Sequence, residues 1–595
     1  MAEKIRLLEV DLSREKVEVH DYTEVCRQYL GGRGLGAKLL WDRVPQGSDP
    51  LGVENIVYFG VGPTTGFFGS VVNVSAKSPL TGLRGESNVN GHFGAEMVNA
   101  GYSAGLLVTG KAKRPVYIYI KDDRVEIRDA SHVWGKLVPA SQYALRTEVR
   151  QELSDQNFQV LTIGPAGENL LRNAGICHDV YHYAARTGGG AVMGSKNLKG
   201  VVVRGTRPPK YADPAKMFYM LSHFFRESRP YVAENRRWSH YVSVPERYYA
   251  TTEGIKNKQL GWDPICDLSN PVVMEQQYKV WNDSCSLCMT GCKAPYMRRD
   301  EPLGPYVGEM RHDNGGGWSA NVMIAGYDLQ TYLTALVDTL GADSEDLSGV
   351  VAWALELYDR GMLTKEDLGG IDLKWGDLEA ISKLVVKIVR REGIGDTLAE
   401  GLKRASEKLG EKTKPYAITN KGVAITSYEP RGSMTDAIGL AINPVGELHG
   451  GPGGGRCNAR NFIQDSMTFC SFLANPLRGV FGDINQVSLD LLKAARGWDI
   501  PRPEWDTMIK RLALLERCFS MREGLVPHRD DVLPERFFTE TIYTKYGEPR
   551  ILNKEEFFKN RLNWYKSQGL TEEGIPTRET LKEVGLEFAV SVLDR

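Results

Sequence analysis

The first 207 residues carry short apolar or alternating runs separated by turn residues, a pattern typical of β-strands. The runs are IRLLEVDL, VEVHDY, NIVYFGVG, VVNVSAK, GLLVTGK, VYIYI, RVEIRDA, QVLTIG and GVVVRG. The stretch YIYIKDDRVEIRDA predicts a β-hairpin with Asp122 and Asp123 at its turn. Few helices are expected in this region, and GAEMVNAGY is one candidate. The pattern therefore predicts a β-rich first domain.

The pattern changes near RGTRPPKYADPAKMF, where Asp213 and Pro214 form an N-cap and first helical position. Apolar residues then recur with helical spacing in DLSGVVAWALELYDRGML, DLEAISKLVVKIVRREGIG and PEWDTMIKRLALLERCFSMREG. A break at GEKTKPYAITNKGVAI divides this helical part. We predict a multidomain α+β protein, with a β-rich domain over residues 1–207 and two mainly α-helical domains over 208–412 and 413–595.

Composition narrows the class of protein. The formal net charge of -1 over 595 residues gives no reason to expect nucleic acid or an anionic membrane as a partner. The N-terminal segment carries charges where a signal peptide needs an apolar core, and no apolar run approaches the roughly 20 residues of a membrane span. Nine cysteines are too few for a disulfide framework at this length, which favours a reducing cytoplasm.

Three cysteines stand out because Cys285, Cys288 and Cys292 fall within eight positions in DSCSLCMTGCKAPY. This C-x2-C-x3-C spacing is compatible with an iron–sulfur cluster, with zinc, or with structural cysteines. A cluster takes four thiolates, often with one distant in sequence. Spacing alone does not select the fourth ligand among Cys26, Cys177, Cys266, Cys457, Cys470 and Cys518.

Several motifs in a fixed order resemble the tungsten-containing aldehyde:ferredoxin oxidoreductase family over nearly the whole chain. They are YLGGRGLGAKLLWDRVP, KSPLTG, SNVNGHFGAEMVNAGY, GAVMGSKNLKG, the cysteine triad, DTLGAD, EPRG and GIPTRETLKEVGLEF. The resemblance implies a β-rich base domain for two pterins that jointly chelate one tungsten, or molybdenum. It also implies one [4Fe-4S] cluster and two helical domains that close over the cofactors.

The resemblance also implies ligands. The family segment D-x-x-G-x-C corresponds to DSMTFC here, which makes Cys470 the fourth cluster ligand and Asp465 a pterin-binding carboxylate. Thr468 replaces the family glycine. The companion segment is DTLGAD, which assigns Asp338 and Asp343 to the other pterin. A carboxylate accepts paired N–H bonds from a pterin edge. Without the family, DTLGAD would be interpreted as a helix end followed by a cap.

The remaining cofactor contacts follow from the same resemblance. Asn88 matches a position that contacts the Mg²⁺ bridging the two pterin phosphates. The phosphate-contacting loop corresponds to Arg186, Gly188, Gly189 and Gly190 in ARTGGGAVMG. Backbone N–H groups of a glycine-rich turn are suitable anion donors.

Two residues match the catalytic positions of the family. Glu309, seventeen residues beyond Cys292, corresponds to the proposed general acid–base, and a desolvated carboxyl there is expected to have a raised pKa. His449 corresponds to the histidine that hydrogen-bonds the substrate carbonyl oxygen. The implied reaction oxidises an aldehyde to a carboxylic acid and passes electrons to a ferredoxin or to iron–sulfur or flavin partner subunits. An oligomer is expected.

The sequence departs from the family pattern near the substrate pocket, where GWDPICDLSN has Cys266 at a usual arginine position. A related branch, the catalytic subunit of tungsten-dependent class II benzoyl-CoA reductase, has a tungsten-ligating cysteine in this region. Glu253 suits that branch, whereas Trp262 replaces its expected histidine. This region therefore leaves an aryl-CoA reductase as an alternative function. A second alternative, from a different class, is a non-enzymatic iron–sulfur electron-transfer subunit that would hold the cluster without pterin or tungsten.

Overall fold

The computed structural model describes residues 3–153, 155–179, 182–237, 254–264, 277–298, 306–309, 317–426, 429–446 and 458–593. The described part of the first 207 residues contains twelve strands: β1 Arg6–Asp11, β2 Lys16–Asp21, β3 Val57–Gly60, β4 Val72–Lys77, β5 Arg84–Val89, β6 Gly105–Thr109, β7 Val116–Lys121, β8 Arg124–Asp129, β9 Gln159–Thr162, β10 Ile176–His178, β11 His182–Ala184 and β12 Leu198–Arg204. Three later hairpins pair β13 Pro295–Arg298 with β14 Tyr306–Glu309, β15 Thr419–Asn420 with β16 Val423–Ala424, and β17 Ile542–Tyr543 with β18 Pro549–Arg550.

The twelve strands form two six-stranded mixed sheets. Their orders are β2-β1-β6-β3-β4-β5 and β11-β10-β9-β12-β7-β8. Strands β1 and β6 pair in parallel, as do β12 and β7, and the other pairs are antiparallel. Leu8 and Val72 of the first sheet share one apolar core with Ile118 and Val201 of the second. The two sheets therefore form a single packed unit, as the fold-class prediction requires.

Helices dominate the described residues after position 207, and six helices also lie within the described part of the first 207 residues. The α-helices are Thr23–Tyr29, Gly32–Arg43, Phe93–Asn99, Val138–Leu153, Pro165–Glu168, Gly189–Ser195, Pro214–Glu227, Arg229–Arg237, Tyr327–Leu340, Ser344–Asp359, Leu378–Arg390, Ile394–Leu398, Gly401–Leu409, Met434–Ile442, Ala459–Met467, Ser471–Phe481, Ile484–Arg496, Arg502–Arg522, Pro527–Asp530, Arg536–Thr539, Lys554–Ser567 and Arg578–Glu583. A π-helix spans Gly317–Asn321, and 3-10 helices span Lys414–Tyr416, Pro430–Gly432 and Glu587–Val592.

Local predictions are confirmed where short-range chemistry decides the conformation. The β7–β8 hairpin turns at Asp122 and Asp123, and Asp122 has a left-handed φ of 51°. The Asp213 side chain accepts a hydrogen bond from the Lys216 N–H at 2.9 Å and caps the helix that Pro214 begins. Both features depend on residues within three positions of each other, which explains why the pattern predicts them.

The first domain contains more helix than the pattern predicts, most notably at the glycine-rich segment YLGGRGLGAK. This segment forms most of the helix Gly32–Arg43. A Cβ atom on Gly34 would lie 2.1 Å from the carbonyl oxygen of Tyr29, and one on Gly36 would lie 2.2 Å from Ser75 Oγ. The glycines therefore permit close packing of this helix against the protein itself, and tertiary contact overrides their low helix propensity.

Two larger cores hold the helical regions against the sheets. One joins Leu35 and Tyr58 of the first region to Met217 and to Phe462 and Leu515 near the C-terminal end. The other joins Ala191, beside the second sheet, to helices within residues 318–424. The two predicted domain boundaries, near residues 207 and 412, remain predictions.

No helix in the described part of the chain is long and apolar enough to cross a membrane.

Candidate functional site

The cysteine triad lies in a loop that closes on itself. The backbone N–H of Asp283 donates to the carbonyl oxygen of Lys293 at 2.7 Å, which joins the two ends of the loop. Inside it, the N–H of Cys288 donates to the carbonyl oxygen of Cys285 at 3.0 Å. Cys292 is buried near the second end. The loop therefore holds the three thiols on one short stretch of backbone.

Cys470 comes from a helix junction far along the chain. The helix Ala459–Met467 ends at Thr468, whose φ of 61° and ψ of 38° lie in the left-handed region. Cys470 is then the N-cap of the helix Ser471–Phe481, and its carbonyl oxygen accepts from Leu473 N–H at 2.9 Å. A β-branched residue thus occupies the left-handed position where the family has glycine.

The structure brings the four predicted cluster cysteines together. Burial raises the pKa of the Cys285 thiol, and the neighbouring Cys288 and Cys470 raise it further. Burial likewise raises the pKa of Cys292, followed by the effect of nearby Cys470. All seven cysteines in the described part of the chain are free thiols. Among the described residues, no three His, Cys, Asp or Glu side chains are placed to hold a single metal ion.

His182 contacts the cysteine loop, and the sequence analysis missed it. Its Nε2 atom lies 3.7 Å from Cys285 Sγ. The side chain is buried on β11, with its ring centroid 5.9 Å from that of His178. The only signal in the sequence is the pair of histidines in CHDVYHYAARTGGG, four residues apart, just before the predicted phosphate loop.

Asp465 and Asn88, predicted from separate motifs, are hydrogen-bonded to each other. Asn88 Nδ2 donates to Asp465 Oδ1 at 2.8 Å. Asn88 lies on β5 opposite Asn73 of β4, whose Nδ2 donates to Asn88 Oδ1 at 2.9 Å. Arg33 Nη1 contacts the other Asp465 oxygen at 3.2 Å. The first sheet therefore orients the carboxylate that the helix Ala459–Met467 presents.

Arg33 is the centre of a fully buried charge cluster. Its guanidinium contacts Glu516 at 2.7 Å and Glu86 at 3.2 Å and stacks over the Phe462 ring at 4.0 Å. Arg84 adds contacts to Glu86 at 3.1 Å and to Glu516 at 3.2 Å. Burial lowers the pKa of Arg33, and the carboxylates of Glu516 and Glu86 more than offset this effect. Arg33 therefore stays charged inside the protein.

The second predicted carboxylate segment, DTLGAD, has the same order of backbone conformations as DSMTFC. Asp338 lies in the last turn of the helix Tyr327–Leu340, and Gly341 follows in the left-handed region at φ 82°. Asp343 is the N-cap of the helix Ser344–Asp359 and accepts from the N–H of Glu345 at 3.0 Å. Each segment thus ends one helix, turns through a left-handed residue and begins the next helix with its final residue.

Arg186 and Asp343, again predicted separately, are in direct contact. The Arg186 N–H donates to Asp343 Oδ2 at 2.9 Å, while its guanidinium pairs with Glu345 and donates to the carbonyl oxygen of Ala424 at 3.2 Å. Arg186 has a left-handed φ of 59°. The loop of the first domain is therefore fastened to the helix Ser344–Asp359.

The glycines that follow Arg186 allow the chain to pass through a confined space. Gly188 has φ 80°, and a Cβ atom there would lie 2.0 Å from the carbonyl oxygen of Arg172. Gly189 and Gly190 begin the helix Gly189–Ser195, and a Cβ atom on Gly190 would lie 2.3 Å from the Gly175 oxygen. Packing alone therefore requires glycine at 188 and 190.

Asp346 is a buried carboxylate that the sequence analysis did not identify. It accepts from Ala424 N–H at 2.8 Å and from Asn173 Nδ2 at 2.9 Å. Burial, followed by the nearby Asp343 charge, raises its pKa to about 6. Asp343, Glu345 and Asp346 are all buried; the Arg186 guanidinium pairs with Glu345, and the Arg186 backbone N–H donates to Asp343.

The Glu309 backbone lies beside the cysteine loop. Glu309 ends β14 and is paired with Pro295 at the start of β13, three residues after Cys292. The hairpin packs on the helix Tyr327–Leu340, where a Cβ on Gly308 would lie 3.0 Å from Ala335 Cβ. The Glu309 side chain, His449, Cys266 and Glu253 lie outside the described residues.

Comparison with known proteins decides the family. Residues 7–205 match the family model described as aldehyde ferredoxin oxidoreductase, N-terminal domain. Residues 246–451 and 456–586 match the model for domains 2 and 3. The chain belongs to the aldehyde ferredoxin oxidoreductase family. The resemblance inferred from the sequence motifs is therefore confirmed.

Relatives cover almost the whole chain. A tungsten-containing aldehyde ferredoxin oxidoreductase of Pyrococcus furiosus is 34% identical over 611 residues, covering 98% of each chain. The WOR-like subunit of an aliphatic sulfonate oxidoreductase from the same organism is 33% identical, covering 98% of this chain and 96% of the relative. These relatives are enzymes by name, so the prediction of an enzyme is confirmed and the non-enzymatic alternative loses its support.

A solved structure shares the fold. The active-site complex BamBC of benzoyl coenzyme A reductase, determined with 1,5-dienoyl-CoA, contains a chain that matches with a TM-score of 0.82 and 24% sequence identity. The match covers 98% of this chain and 97% of that chain. The predicted fold class is confirmed.

Proposed function

We propose that this chain is a tungsten bis-pterin oxidoreductase that oxidises aldehydes to carboxylic acids. Electrons would leave through one [4Fe-4S] cluster to a ferredoxin or to an iron–sulfur or flavin partner subunit, in the cytoplasm. The observation that carries the proposal is the convergence of Cys470 with the Cys285, Cys288 and Cys292 loop in a chain of this family.

The four thiols fit a cluster better than a single ion. They influence one another's pKa, yet no three ligand side chains among the described residues are placed to share one metal ion. A four-iron cluster takes one thiolate per iron and spaces its ligand sulfurs more widely than a single ion does. The cluster, when bound, would accept and release one electron at a time.

The carboxylates fit the edges of two pterins, and tungsten or molybdenum held by their dithiolenes would supply two-electron chemistry. Asp465 is oriented by Asn88 and Arg33, and Asp343 by Arg186. Asp338 ends the helix preceding Asp343. Oriented carboxylates accept paired N–H bonds well. Asn88 is proposed to face the Mg²⁺ site, and the loop from Arg186 to Gly190 the pterin phosphates.

A hydrogen bond in the N-terminal region links the residues proposed for one pterin, around Asp465, to those proposed for the other, around Asp343. Thr187 Oγ1 accepts from the N–H of Glu86 at 3.0 Å. Glu86 belongs to the cluster that contains Arg33, and Thr187 follows Arg186. One rigid sheet edge thus positions both groups of residues, which is what pre-organised binding of a two-part cofactor requires.

In the reaction, an aldehyde and water give a carboxylic acid, two protons and two electrons. We assign Glu309 as the group that accepts a proton from the attacking water, since its backbone lies beside the cysteine loop. His449 would donate a hydrogen bond to the substrate carbonyl oxygen and polarise it. The protein also has to exclude bulk water around these groups.

Metal analysis tests the cofactor part of the proposal. Protein purified without oxygen from a host that makes the cofactor should contain about four iron atoms and one tungsten or molybdenum per chain. Iron without either heavy metal would refute the pterin assignment, and zinc alone would refute the cluster as well.

Replacing Glu309 by Gln tests the catalytic part. The variant should keep both metals and lose most aldehyde turnover, by about 10²–10⁴-fold. Glu126→Gln, on the exposed strand β8, is the matched control and should retain full activity. Full turnover in Glu309→Gln would remove Glu309 from the mechanism.

A second candidate is reduction of an aryl-CoA thioester. It is suggested by Cys266, which stands in GWDPICDLSN where aldehyde-oxidising members usually have arginine. The shared fold with a benzoyl coenzyme A reductase chain is compatible with it. Ligation of tungsten by Cys266 would separate the two candidates. Replacement of Cys266 by Ser should change the X-ray absorption spectrum of tungsten if the thiolate is a ligand and leave it unchanged otherwise.

A further inference from the structure

The tip of the cysteine loop projects an apolar side chain into solvent. Leu287, between Cys285 and Cys288, is 47% exposed. Its φ of 51° is left-handed, which costs a leucine roughly 1–2 kcal/mol. Cys288 beside it is only half-buried. A strained and exposed leucine between two proposed cluster ligands offers nothing to the stability of the isolated chain.

Helices on either side extend this surface. Ser228 contacts the sulfur of Met289 in the cysteine loop. Three residues later, Tyr231 is 49% exposed and packs its ring on Gly479, to whose carbonyl oxygen its hydroxyl donates at 3.3 Å. Gly479 belongs to the helix Ser471–Phe481, which begins directly after Cys470. The loop and these two helices therefore share one face of the molecule.

The same face carries arginines that form no ion pair with any residue in the described ranges. Arg460 Nη2 donates to Asn475 Oδ1 at 2.5 Å on the exposed side of the helix Ser471–Phe481. Burial, followed by the nearby Arg478 cation, lowers the pKa of Arg460. In the part of the chain that the structure describes, neither of these arginines forms an ion pair, nor does the exposed Arg229. Like charges held close together repel each other, and a protein tolerates this where an anionic partner relieves it.

We propose that this cysteine face, consisting of Leu287, Tyr231, Arg229, Arg460 and Arg478, docks an acidic iron–sulfur electron carrier. The proposal rests on the proposed function, because it assigns the route by which electrons leave the cluster. An apolar centre with a charged rim is the usual composition of a protein interface, and electron-transfer contacts are small and transient. Each encounter transfers one electron to the oxidised carrier, so two encounters complete one aldehyde oxidation.

Electrostatic steering sets the expected size of the effect on the rate of association with the carrier. Complementary charge raises association rates by about 10–10³-fold at low ionic strength, and salt screens the effect. Replacing both Arg460 and Arg478 by Glu reverses the charge of the rim by four units. We expect the second-order rate constant with the carrier to fall at least about tenfold at low salt, and its dependence on salt to weaken or invert.

The experiment uses the complete enzyme with its cluster reduced by dithionite. Stopped-flow mixing with an oxidised acidic ferredoxin follows re-oxidation of the cluster, which requires no substrate. The same variants are then mixed with benzyl viologen, a small cation that needs no docking surface and that a more negative rim cannot repel, and we expect rates no lower than wild type. Arg114→Glu is the control for an exposed arginine elsewhere: Arg114 pairs with Asp129 at 3.2 Å and precedes β7, which three strands of the second sheet separate from β11.

The measurements distinguish failure of the docking proposal from failure of the proposed aldehyde oxidation. A carrier rate constant within twofold of wild type in the Arg460→Glu/Arg478→Glu variant overturns the proposal, as does an equal loss in Arg114→Glu. If instead the variant loses affinity only for a CoA thioester, the arginines bind CoA phosphates and the docking face is wrong. Failure of wild-type protein to oxidise aldehydes, with normal re-oxidation by ferredoxin, would refute the proposed substrate and leave the docking face supported.

Discussion

Replacing Arg33 by Met should destabilise the protein severely. The side chain is fully buried and contacts Glu516 at 2.7 Å, Glu86 at 3.2 Å and Asp465 at 3.2 Å. Methionine keeps the packing over the Phe462 ring but removes the cation that all three carboxylates contact, while Arg84 still contacts Glu86 and Glu516. Breaking a buried ion pair by removing one partner costs about 3–5 kcal/mol. Total stabilities of about 5–15 kcal/mol make that a large loss.

The loss should also depend on pH. Without Arg33, part of the negative charge in this buried cluster is uncompensated, and a lower pH reduces the amount of negative charge that has to be buried. Urea unfolding followed by circular dichroism should therefore show a smaller difference between Arg33→Met and wild type at pH 5 than at pH 8.

An exposed arginine provides the comparison. Arg502 contacts Asp483 and Asp506, each at 2.9 Å, on the surface. Such pairs contribute about 0–1 kcal/mol, so Arg502→Met should have little effect. If Arg33→Met loses less than about 1 kcal/mol, or no more than Arg502→Met, the buried cluster does not have the role in stability that its geometry implies.

Three further predictions concern the candidate site. Burial and Asp343 raise the pKa of Asp346 to about 6, so the ionised carboxylate lowers the free energy of unfolding above that pH and has no such effect below about pH 4. Asp346→Asn should therefore stabilise the cofactor-free protein at pH 7 by up to about 3 kcal/mol. Urea unfolding at pH 4 should show no gain. His182→Gln should lower the midpoint potential of the cluster, because a hydrogen bond to a ligand sulfur favours the reduced state; an unchanged potential in a redox titration followed by electron paramagnetic resonance would contradict this. Cys470→Ser should lose cluster iron measured by mass spectrometry, whereas Cys518→Ser, a buried thiol elsewhere, should retain it.

The two carboxylate segments illustrate why one motif can have two correct interpretations. DTLGAD alone predicts a helix end and a cap, and the structure has both, at Gly341 and Asp343. The same sequence of a left-handed helix end and a helix N-cap recurs at Thr468 and Cys470. A helix junction of this kind places the last-turn carboxylate and the capping residue near each other, so the structural and the cofactor-binding interpretations are compatible.

Several features of the site escaped the sequence because they depend on distant contacts. Arg33 appeared only as part of a glycine-rich segment, and its partner Glu516 is 483 positions away. His182 carries no local signal that links it to Cys285, 103 positions along the chain. Periodicity and turn chemistry report on neighbours within a few residues and contain no information about such pairs.

The sequence by itself determined the local elements and the inventory of chemical groups. The hairpin at Asp122, the cap at Asp213 and the closely spaced thiols from Cys285 to Cys292 all follow from residues a few positions apart. Only the tertiary structure decided which groups meet, such as Asn88 with Asp465. The physical reason is that burial against a distant surface sets both the partner and the charge state of a side chain, and the folded chain alone creates that surface.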